Sequence, residues 1–382
     1  MFRVGFSKIG SKNWMGGHTY LKNISSIINS RLKEKITLKF IKYDLENLEN
    51  IDLKKFDNVI KINEKKNFFT DIKNFFFNFK LNKIIINQLD MYFDTRNTGL
   101  FSNNKKIVSW IPDFQHRHLP KFFSFVEYWK REILFKKKIF FQKNIIVSSN
   151  DAKKDCINFY NKDPKLIHVV KFSIFTDPRS HLKKIIYLTK KYKIKKKYIY
   201  IPNQFWEHKN HEIILNSLIY IKSKNPKIYN KIPQIIFSGR LFDTRNKDYG
   251  KKILDRMNYS EIKSKIKYLG VIPLHDVYKL NANCFCLINP SFFEGWSTTV
   301  EEAKSFGTPT ILSNISVHRE QSPKSIFFNP NKFKDLSKIL IDLTEKKYSL
   351  KRKNIKEVKE ENEKRDLQMA NQFLNVIQKT II

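Results

Sequence analysis

Short apolar runs alternate with longer amphipathic segments along most of the chain. Runs such as residues 2–6, 198–202 and 283–289 have the length of buried strands. Segments such as residues 150–160 carry apolar side chains at helical spacing. Because strands that alternate with helices form parallel sheets covered on both faces, the pattern predicts an α/β protein with doubly wound domains.

The same alternation predicts the remaining elements and a domain boundary. Further predicted strands are residues 38–43, 58–62, 83–87, 106–111, 144–148, 165–171, 234–239, 266–273, 310–313 and 325–328. Further predicted helices are residues 19–32, 68–79, 121–138, 274–281, 332–345 and 350–377. A charged, irregular stretch at 172–197 separates two groups of elements, so we expect domains of 1–172 and 173–365.

The stretch 291–309, with the sequence SFFEGWSTTVEEAKSFGTP, carries the most informative chemistry. It follows a predicted strand, and Thr298 with Glu301 has the spacing of a capping box that begins a helix. The unit is therefore a strand, a tight loop and a helix. The helix N-terminus offers free N–H groups and a positive dipole end, which suit a phosphate group.

Two carboxylates, Glu294 and Glu302, lie on either side of this helix start. Carboxylates beside an anion site suit a ligand that also presents hydroxyl groups, because they accept hydrogen bonds from sugar OH groups. A ligand with both phosphates and hydroxyls is a nucleotide sugar. The alternative interpretation is a capped surface helix whose glutamates are solvated.

This stretch resembles the Glu-x7-Glu region of retaining glycosyltransferases of family 4, which have the GT-B architecture of two Rossmann-like domains facing one cleft. The resemblance implies that Glu294 approaches the donor sugar and that Glu302 binds the ribose hydroxyls, with Glu301 as a second candidate for the later acid. The residues whose backbone would then meet the diphosphate and the sugar are Gly295, Trp296, Ser297 and Thr298.

A second segment that resembles the family contains Lys209 and Asn210, which match a Lys-Asn pair at the donor diphosphate. A lysine at a helix start, beside free N–H groups, is also a phosphate site on physical grounds. The usual Gly-Arg of the family is replaced here, at Asn203-Gln204, so one expected phosphate cation is missing. The alternative for Lys209 is an ordinary solvated lysine.

Two further features follow from the resemblance. The turn at Gly270 and Val271, continued by Ile272, is similar to the family segment whose backbone contacts the nucleobase. In GT-B proteins the C-terminal helix crosses back onto the first domain. We therefore expect residues 366–382 to pack on domain 1–172.

In the first domain, a glycine pair and a polar loop are the site candidates. Gly16 and Gly17 fall in a predicted loop and permit close backbone approach to a ligand. The family has a cleft loop here that contacts donor phosphate or acceptor, although a plain turn is the alternative. Asp113 and His116 follow a predicted strand, where doubly wound sheets bind ligands.

The segment Asp113-Phe-Gln-His116 is similar to one that faces the cleft in the family. The resemblance implies that Asp113 and His116 contact the acceptor or the donor sugar, and we group them with Glu294 as catalytic candidates. The alternative for His116 is a loop histidine that caps the next helix.

The chain is strongly basic, with 73 Lys and Arg against 36 Asp and Glu and a formal net charge of +37. This charge suits an anionic membrane surface or nucleic acid, or it reflects compositional drift toward lysine. Residues 121–138 interleave aromatic and basic side chains, which favours a membrane surface. The alternative is a core-facing helix with a solvated basic face. Because no recognition module is visible, we do not expect nucleic acid as a partner.

The cysteines and the lengths of the apolar runs indicate where in the cell the protein is expected. Cys156, Cys284 and Cys286 make neither a disulfide framework nor a zinc site, and the last two are expected on one buried face of a strand. We find no signal-peptide pattern and no apolar stretch of the roughly 18 residues that suggest a spanning helix. The expected location is the cytoplasm, with peripheral attachment to the inner membrane face as an option.

The combined expectation is a retaining glycosyltransferase. It would move a sugar from a nucleotide-diphosphate sugar to a hydroxyl of a glycan or lipid-linked acceptor, in cell-surface polysaccharide synthesis of the lipopolysaccharide, O-antigen or capsule type. Retention is implied by the resemblance. No metal or other cofactor is expected, because Lys209 and the helix N-terminus would neutralise the departing diphosphate. A basic nucleic-acid-binding protein and a sugar-nucleotide epimerase on the same fold remain alternatives.

Overall fold

The structure is a computed structural model that describes residues 1–9, 15–43, 51–63, 73, 77–95, 104–182, 185–347 and 349–381. The described chain forms two compact units. The first contains Met1–Phe114, Phe125–Phe175 and Glu363–Ile382, and the second contains Gln115–Ser124 and Thr176–Asn362.

These units differ from the predicted domains mainly at Gln115–Ser124, which the sequence places in the first domain. The segment belongs to the second unit because its side chains contact that unit. Gln115 Oε1 accepts a hydrogen bond from Arg245 Nη1 at 2.9 Å. The ring of Phe122 has its centroid 6.4 Å from that of Phe292.

The C-terminal residues make specific contacts within the first unit. Ser173 Oγ donates a hydrogen bond to Asp366 Oδ1 at 2.6 Å. The ring of Phe373 stacks on that of Phe6, with centroids 5.9 Å apart. The last helix therefore contributes both a buried polar contact and an aromatic contact to the first core.

Within the described residues, the first unit contains a sheet of seven parallel strands in the order β3-β2-β1-β4-β5-β6-β7. The strand order reverses at β1, as it does in doubly wound folds. The strands are β1 (Phe2–Ser7), β2 (Ile36–Tyr43), β3 (Asn58–Ile62), β4 (Met91–Asp94), β5 (Ile107–Ile111), β6 (Ile145–Val147) and β7 (Ile167–Val169).

The described part of the second unit repeats this arrangement with six parallel strands in the order β10-β9-β8-β11-β12-β13. The strands are β8 (Tyr198–Ile201), β9 (Gln234–Phe237), β10 (Ile266–Tyr268), β11 (Cys286–Asn289), β12 (Thr310–Ser313) and β13 (Ile326–Phe328). Every residue of β8, β11 and β12 is buried, as the continuous apolar runs indicate. The predicted α/β fold with doubly wound sheets is confirmed in both units.

Helices connect the strands. They are α1 (Met15–Arg31), α2 (Phe79–Gln88), α3 (Gln115–His118), α4 (Phe125–Phe141), α5 (Asn150–Tyr160), α6 (Arg179–Leu182), α7 (Ile185–Tyr192), α8 (His211–Lys224), α9 (Pro226–Lys231), α10 (Tyr249–Met257), α11 (Leu274–Asn283), α12 (Thr298–Ser305), α13 (Ser316–Gln321), α14 (Phe333–Thr344) and α15 (Ile355–Ile381). The predicted helix 68–79 lies mostly outside the described residues.

The predicted strand at residues 83–87 is wrong, since these residues lie inside α2. Three consecutive isoleucines suggest a strand, but the helix buries Ile85 and leaves Ile86 57% exposed. The place beside β1 is taken by β4, whose four residues are all buried. Tertiary pairing has overridden the local preference of β-branched residues.

The two neighbouring cysteines are both buried, but they do not share a face. Cys286 packs in the core cluster that contains Ile199 and Phe237, whereas Cys284 packs in the cluster that contains Tyr198 and Leu280. The alternation expected of a strand does not apply to Cys284, because β11 begins only at Cys286.

Candidate functional site

The candidate site lies in the second unit, where β11 ends and α12 begins. This is the carboxyl edge of a parallel sheet, the usual place for ligands in doubly wound folds. Ser297 caps α12, because its Oγ accepts a hydrogen bond from Val300 N at 3.4 Å. The predicted capping box of Thr298 and Glu301 is wrong by one residue, since Ser297 is the capping position.

The start of α12 presents unpaired backbone donors. Thr298 and Thr299 occupy its first two positions, where an N–H group has no acceptor within the helix. No described residue accepts from either N–H. The N–H of Ser297, in contrast, donates to Gln321 Oε1 at 3.2 Å. Two backbone donors at the positive end of the helix dipole can therefore bind an anion.

The Glu294 carboxylate lies in the loop before this helix and is held by three donors. Its Oε1 accepts hydrogen bonds from Lys209 Nζ at 2.7 Å, from Ser291 Oγ at 2.7 Å and from Asn289 Nδ2 at 3.3 Å. The ion pair is largely shielded from solvent, with side chains 9% exposed for Glu294 and 15% for Lys209. The structure therefore brings together the predicted acid and the predicted cation.

Burial on its own would raise the pKa of the Glu294 carboxyl. The positive charge of Lys209 and the hydrogen bonds from Lys209 and Ser291 act in the other direction, and the pKa lies below its usual value. Glu294 is therefore an anion at neutral pH. Its second oxygen, Oε2, can accept hydrogen bonds from a ligand without disturbing the bonds to Oε1.

Three asparagines build the frame around this ion pair. The Nδ2 of Asn289 donates to Ser297 Oγ at 2.8 Å, which ties the end of β11 to the helix cap. The Oδ1 of Asn203 accepts from Thr299 Oγ1 at 3.1 Å, which ties the end of β8 to the same helix. Asn210, with a left-handed φ of 54°, precedes α8.

Asn210 was predicted to bind the donor, and its side chain is engaged within the protein. Its Nδ2 donates to the carbonyls of Pro290 at 3.2 Å and Pro330 at 2.9 Å. It therefore fixes the turn that carries Lys209 against the loop that carries Glu294. Any contact of Asn210 with a ligand would have to use its backbone or its remaining carbonyl oxygen.

Glu302 differs sharply from its neighbour Glu301. The Glu301 carboxylate is fully buried and accepts hydrogen bonds from Lys304 Nζ and Gln321 Nε2. The Glu302 side chain is also buried, but no described residue forms a hydrogen bond with its carboxyl. Burial raises the pKa of Glu302 to about 8. Of the two candidates for the later acid, Glu302 is the one available to ligand hydroxyls.

The predicted nucleobase turn follows β10. Gly239 N donates to Gly270 O at 2.9 Å, so the turn is anchored to the end of β9. Gly270 has a φ of +70°, and an added Cβ would meet nothing within 4 Å. Glycine is needed there for its backbone conformation rather than for space. Val271 is 70% exposed, so its side chain is accessible to a ligand.

Residues of α13 support the site although sequence reasoning assigned them no role. Gln321 bonds both the N–H and the carbonyl of Ser297, at 3.2 and 2.8 Å. His318 is fully buried, and its Nδ1 lies 3.0 Å from Ser313 O. Burial lowers the pKa of His318 to about 4, so the ring is neutral. Their position in the chain just after β12 is the sequence feature that could have indicated a place near the site.

The remaining candidates follow β1 and β5 of the first sheet along the chain. Gly16 and Gly17 belong to the first turn of α1, so the prediction of a loop at this glycine pair is wrong. Asp113, after β5, forms an ion pair with Arg131 of α4. His116 is fully buried in α3, which belongs to the second unit.

Comparisons with known proteins concern the sequence of the second unit and the fold of the chain. Residues 185–362 match the family model described as glycosyl transferases group 1. The chain is 26% identical over 210 residues to the O-antigen chain mannosyltransferase RfbU of Salmonella typhimurium. The match covers 54% of this chain and 53% of that protein, so the chain spans about half the length of this curated relative.

Solved structures are similar along nearly the whole chain. The crystal structure of Anabaena Alr3699/HepE in complex with UDP and glucose has a TM-score of 0.72 at 13% identity, and the match covers 99% of this chain and 100% of that one. The apo form of the lipopolysaccharide outer core galactosyltransferase WaaB has a TM-score of 0.64 at 16% identity, with 99% of each chain covered. The likeness establishes the fold.

The chain thus has the GT-B fold, with two Rossmann-like units. Its second unit carries the region that matches glycosyl transferases group 1.

Proposed function

We propose that this protein is a retaining glycosyltransferase of the family 4 type, which transfers a sugar from a nucleotide-diphosphate sugar to a hydroxyl. The observation that carries the proposal is the buried ion pair of Glu294 and Lys209 beside the open N-terminus of α12, with the unpaired Glu302 eight positions later. The match to glycosyl transferases group 1 over the same unit supports it.

Each group has a defined task in this proposal. The diphosphate binds at the N–H groups of Thr298 and Thr299 and near Lys209, so that developing negative charge meets fixed positive charge. Glu294 accepts hydrogen bonds from the donor sugar, together with the backbone of Gly295 and Trp296. As the sugar–phosphate bond breaks, the acceptor hydroxyl oxygen forms the new bond to the anomeric carbon and its proton passes to the departing phosphate oxygen. The diphosphate leaves stabilised by these donors.

The nucleoside is held further along the same edge of the sheet. Glu302 accepts hydrogen bonds from the ribose hydroxyls, and the turn at Gly270 and Val271 contacts the base. Asp113 and His116 keep their predicted contacts with the sugar or acceptor, and Gly16 and Gly17 contact the donor phosphate or the acceptor through their backbone. Retention of configuration is what the resemblance to family 4 implies.

The acceptor is proposed to be a glycan or a lipid-linked saccharide used for a cell-surface polysaccharide. The curated relative is named an O-antigen chain mannosyltransferase, and one structural neighbour is a lipopolysaccharide outer core galactosyltransferase. Both names support an acceptor of the lipopolysaccharide type.

No metal is needed for this chemistry, because Lys209 and the α12 N-terminus supply the positive charge that a divalent ion supplies elsewhere. Among the described residues, no three His, Cys, Asp or Glu side chains come together in a way that could hold a metal ion. We expect turnover to persist in the presence of EDTA.

The test of this function is turnover with UDP-, GDP- and dTDP-sugars and a saccharide acceptor. We expect one donor to release nucleoside diphosphate, with the anomeric configuration of the product matching that of the donor by NMR. Glu294→Gln and Lys209→Ala should each lower the rate by at least about 100-fold, as for loss of a charge-stabilising group. Isomerised free nucleotide sugar would indicate an epimerase instead, and undiminished turnover in both variants would refute the site.

We also propose that α4 binds an anionic membrane surface. The helix exposes apolar side chains at helical spacing: Phe125, Val126 and Phe140 are 79%, 71% and 81% exposed, and Trp129 and Ile133 lie on the same face. A core-facing helix with a solvated basic face is expected to bury its apolar side chains, so their exposure supports the proposal.

Other positions of α4 bury charged residues instead. Glu132 Oε2 accepts a hydrogen bond from Tyr160 OH at 2.8 Å, and Lys138 pairs with Asp94 at 3.3 Å. Burial lowers the pKa of Lys137 to about 8. Charged groups are paired inside while aromatic rings face outward, so the outward face is suited to an apolar partner.

Anionic lipid is the partner that the charge favours. Lys130 and Lys136 are exposed beside the aromatic stripe, and the whole chain carries +37. Basic and aromatic side chains together are typical of a helix lying in a membrane interface. No helix in the described part of the chain combines the length and apolar character needed to cross a bilayer.

A further inference from the structure

A second concave site lies in the second unit beside the Glu294 loop. It has a volume of about 400 Å³, and it opens where β11, β12 and β13 end. The residues that matter for its chemistry are Lys121, Phe122, Phe292, Asn314, Asn329 and Asn331. None of these residues has a role in the donor site described above.

The pocket wall combines aromatic faces with amides. The rings of Phe122 and Phe292 are inclined at 37°, with centroids 6.4 Å apart, and both line the pocket. The described residues that line it include no carboxylate and one cation, Lys121. An acyl chain would require a continuous apolar wall, which the amides of this pocket interrupt.

Two of the asparagines have orientations fixed by the protein. Asn314 Oδ1 accepts a hydrogen bond from Arg319 Nε, and Asn329 Oδ1 accepts one from Asn331 N at 2.9 Å. No described residue accepts from the Nδ2 of Asn314 or Asn329. Each amide therefore keeps its N–H donors for a ligand. Fixed amide donors beside aromatic faces suit sugar rings, which present hydroxyl oxygens at their edges and C–H groups on their faces.

The pocket and the Glu294 ion pair share one frame. Phe292 N donates to His208 O at 2.8 Å, in the turn that leads to Lys209. Asn210 Nδ2 bonds the carbonyl of Pro330, a residue of the pocket wall, as well as that of Pro290. A molecule in the pocket therefore lies against the same loop that presents Glu294.

We propose that this pocket is a saccharide subsite that binds a sugar unit of the acceptor glycan. The proposal rests on the proposed function, because it needs a donor site next to it to have a purpose in transfer. It assigns acceptor recognition partly to the second unit, through Asn314 and Asn329 as hydrogen-bond donors and Phe122 and Phe292 as stacking surfaces.

The test is saturation-transfer NMR on the full chain with methyl α-mannopyranoside, α-1,2-mannobiose, methyl β-galactopyranoside and N-acetylglucosamine as probes. We expect signal from at least one of them. Asn314→Asp with Asn329→Asp keeps both internal acceptor oxygens but removes the amide donors, so we expect binding about tenfold weaker or lost. Phe122→Ala should also weaken binding.

Asn258→Asp is the matched control, because Asn258 is an exposed asparagine of the same unit outside the pocket wall. It should leave saccharide binding unchanged. Absence of signal from all four probes, or equal binding by the double variant and the control, would overturn the proposal. Binding of inorganic pyrophosphate, lost in the double variant while saccharides give no signal, would also overturn it.

A thermal-shift assay with UDP and GDP separates this proposal from the donor function. The double variant should keep the nucleotide response of the wild type, because none of its changes lies at α12 or Lys209. A wild type that binds saccharide through the two asparagines but no nucleotide would refute the donor site and leave the pocket. Nucleotide binding without saccharide binding would refute the saccharide subsite and leave the donor site.

Discussion

At the scale of single residues, we expect the ion pair of Glu294 and Lys209 to contribute both to the stability of the fold and to the proposed transfer activity. A charge buried without its partner costs about 3 kcal/mol. We therefore expect Lys209→Met to lower the free energy of unfolding by about that amount and to abolish most transfer. Adding Glu294→Gln should restore much of the stability, since no unpaired charge remains, but not the activity. Chemical denaturation and a transfer assay measure the two effects.

The exposed Lys252 provides the control for this pair. Lys252→Met should change the free energy of unfolding by less than about 0.5 kcal/mol. If Lys209→Met proves as stable as Lys252→Met, or if the double variant is no more stable than Lys209→Met, the buried ion pair does not have the energetic role assigned to it.

The carboxyl of Glu302 predicts a pH dependence of nucleotide binding. Its pKa is raised to about 8 by burial, so only about a tenth of the molecules carry the carboxylate at pH 7. Ribose hydroxyls donate to the carboxylate, so binding favours the ionised form and lowers that pKa. Affinity should rise, by up to about tenfold, as pH rises from 7 to 9. Calorimetry in two buffers should detect proton release on binding.

Glu302→Gln should remove this pH dependence and weaken nucleotide binding at pH 9. Titration of the nucleotide's own phosphates affects both proteins equally, so the difference between them isolates Glu302. An affinity that falls as pH rises in the wild type alone would contradict the assignment of Glu302 to the ribose.

Sequence spacing could select Glu294 and Glu302 as candidates, because two acids around a helix start suit a ligand with both phosphates and hydroxyls. It could not choose between Glu301 and Glu302, since adjacent helical residues point in different directions and only the partners Lys304 and Gln321 decide which one is occupied. Gln321 itself reaches Ser297 from another helix, and no local pattern reveals such a contact.

At the scale of elements, the sequence pattern of α4 does not determine which of its faces is buried, and tertiary contacts do. An interleaved aromatic and basic helix fits both a membrane face and a core-facing helix. Glu132 is hydrogen-bonded to Tyr160, and Lys138 is paired with Asp94. These contacts hold the two charged side chains in the protein interior. Local sequence likewise could not predict α2. Its consecutive isoleucines suggest a strand, but β4 occupies the position beside β1.

The membrane proposal is tested on the outward face of α4. We expect the protein to float with phosphatidylcholine vesicles that contain about 30 mol% phosphatidylglycerol at low salt, and less with neutral vesicles. Val126→Glu with Ile133→Glu should abolish flotation, because carboxylates cannot enter the interface cheaply. Ile86→Glu, an exposed isoleucine on α2, is the control. Failure of the wild type to float, or flotation of the double variant, would contradict the proposal.

At the scale of the whole molecule, the sequence predicted two doubly wound units because alternating strands and helices admit few other arrangements. The observed units differ from the predicted domains at Gln115–Ser124, whose contacts with Arg245 and Phe292 link segments far apart in the chain. The C-terminal helix likewise contributes Phe373 to the core that begins with Phe6. Such long-range pairings are properties of the folded chain rather than of local patterns.

A crystal structure with UDP or GDP would show whether a nucleoside diphosphate binds at the start of α12. The nucleotide that raises the melting temperature more should be used. We expect diphosphate oxygens within hydrogen-bonding distance of the Thr298 and Thr299 N–H groups and Lys209 Nζ, with the ribose hydroxyls bonded to Glu302. A nucleotide bound away from both α12 and Glu302 would contradict it.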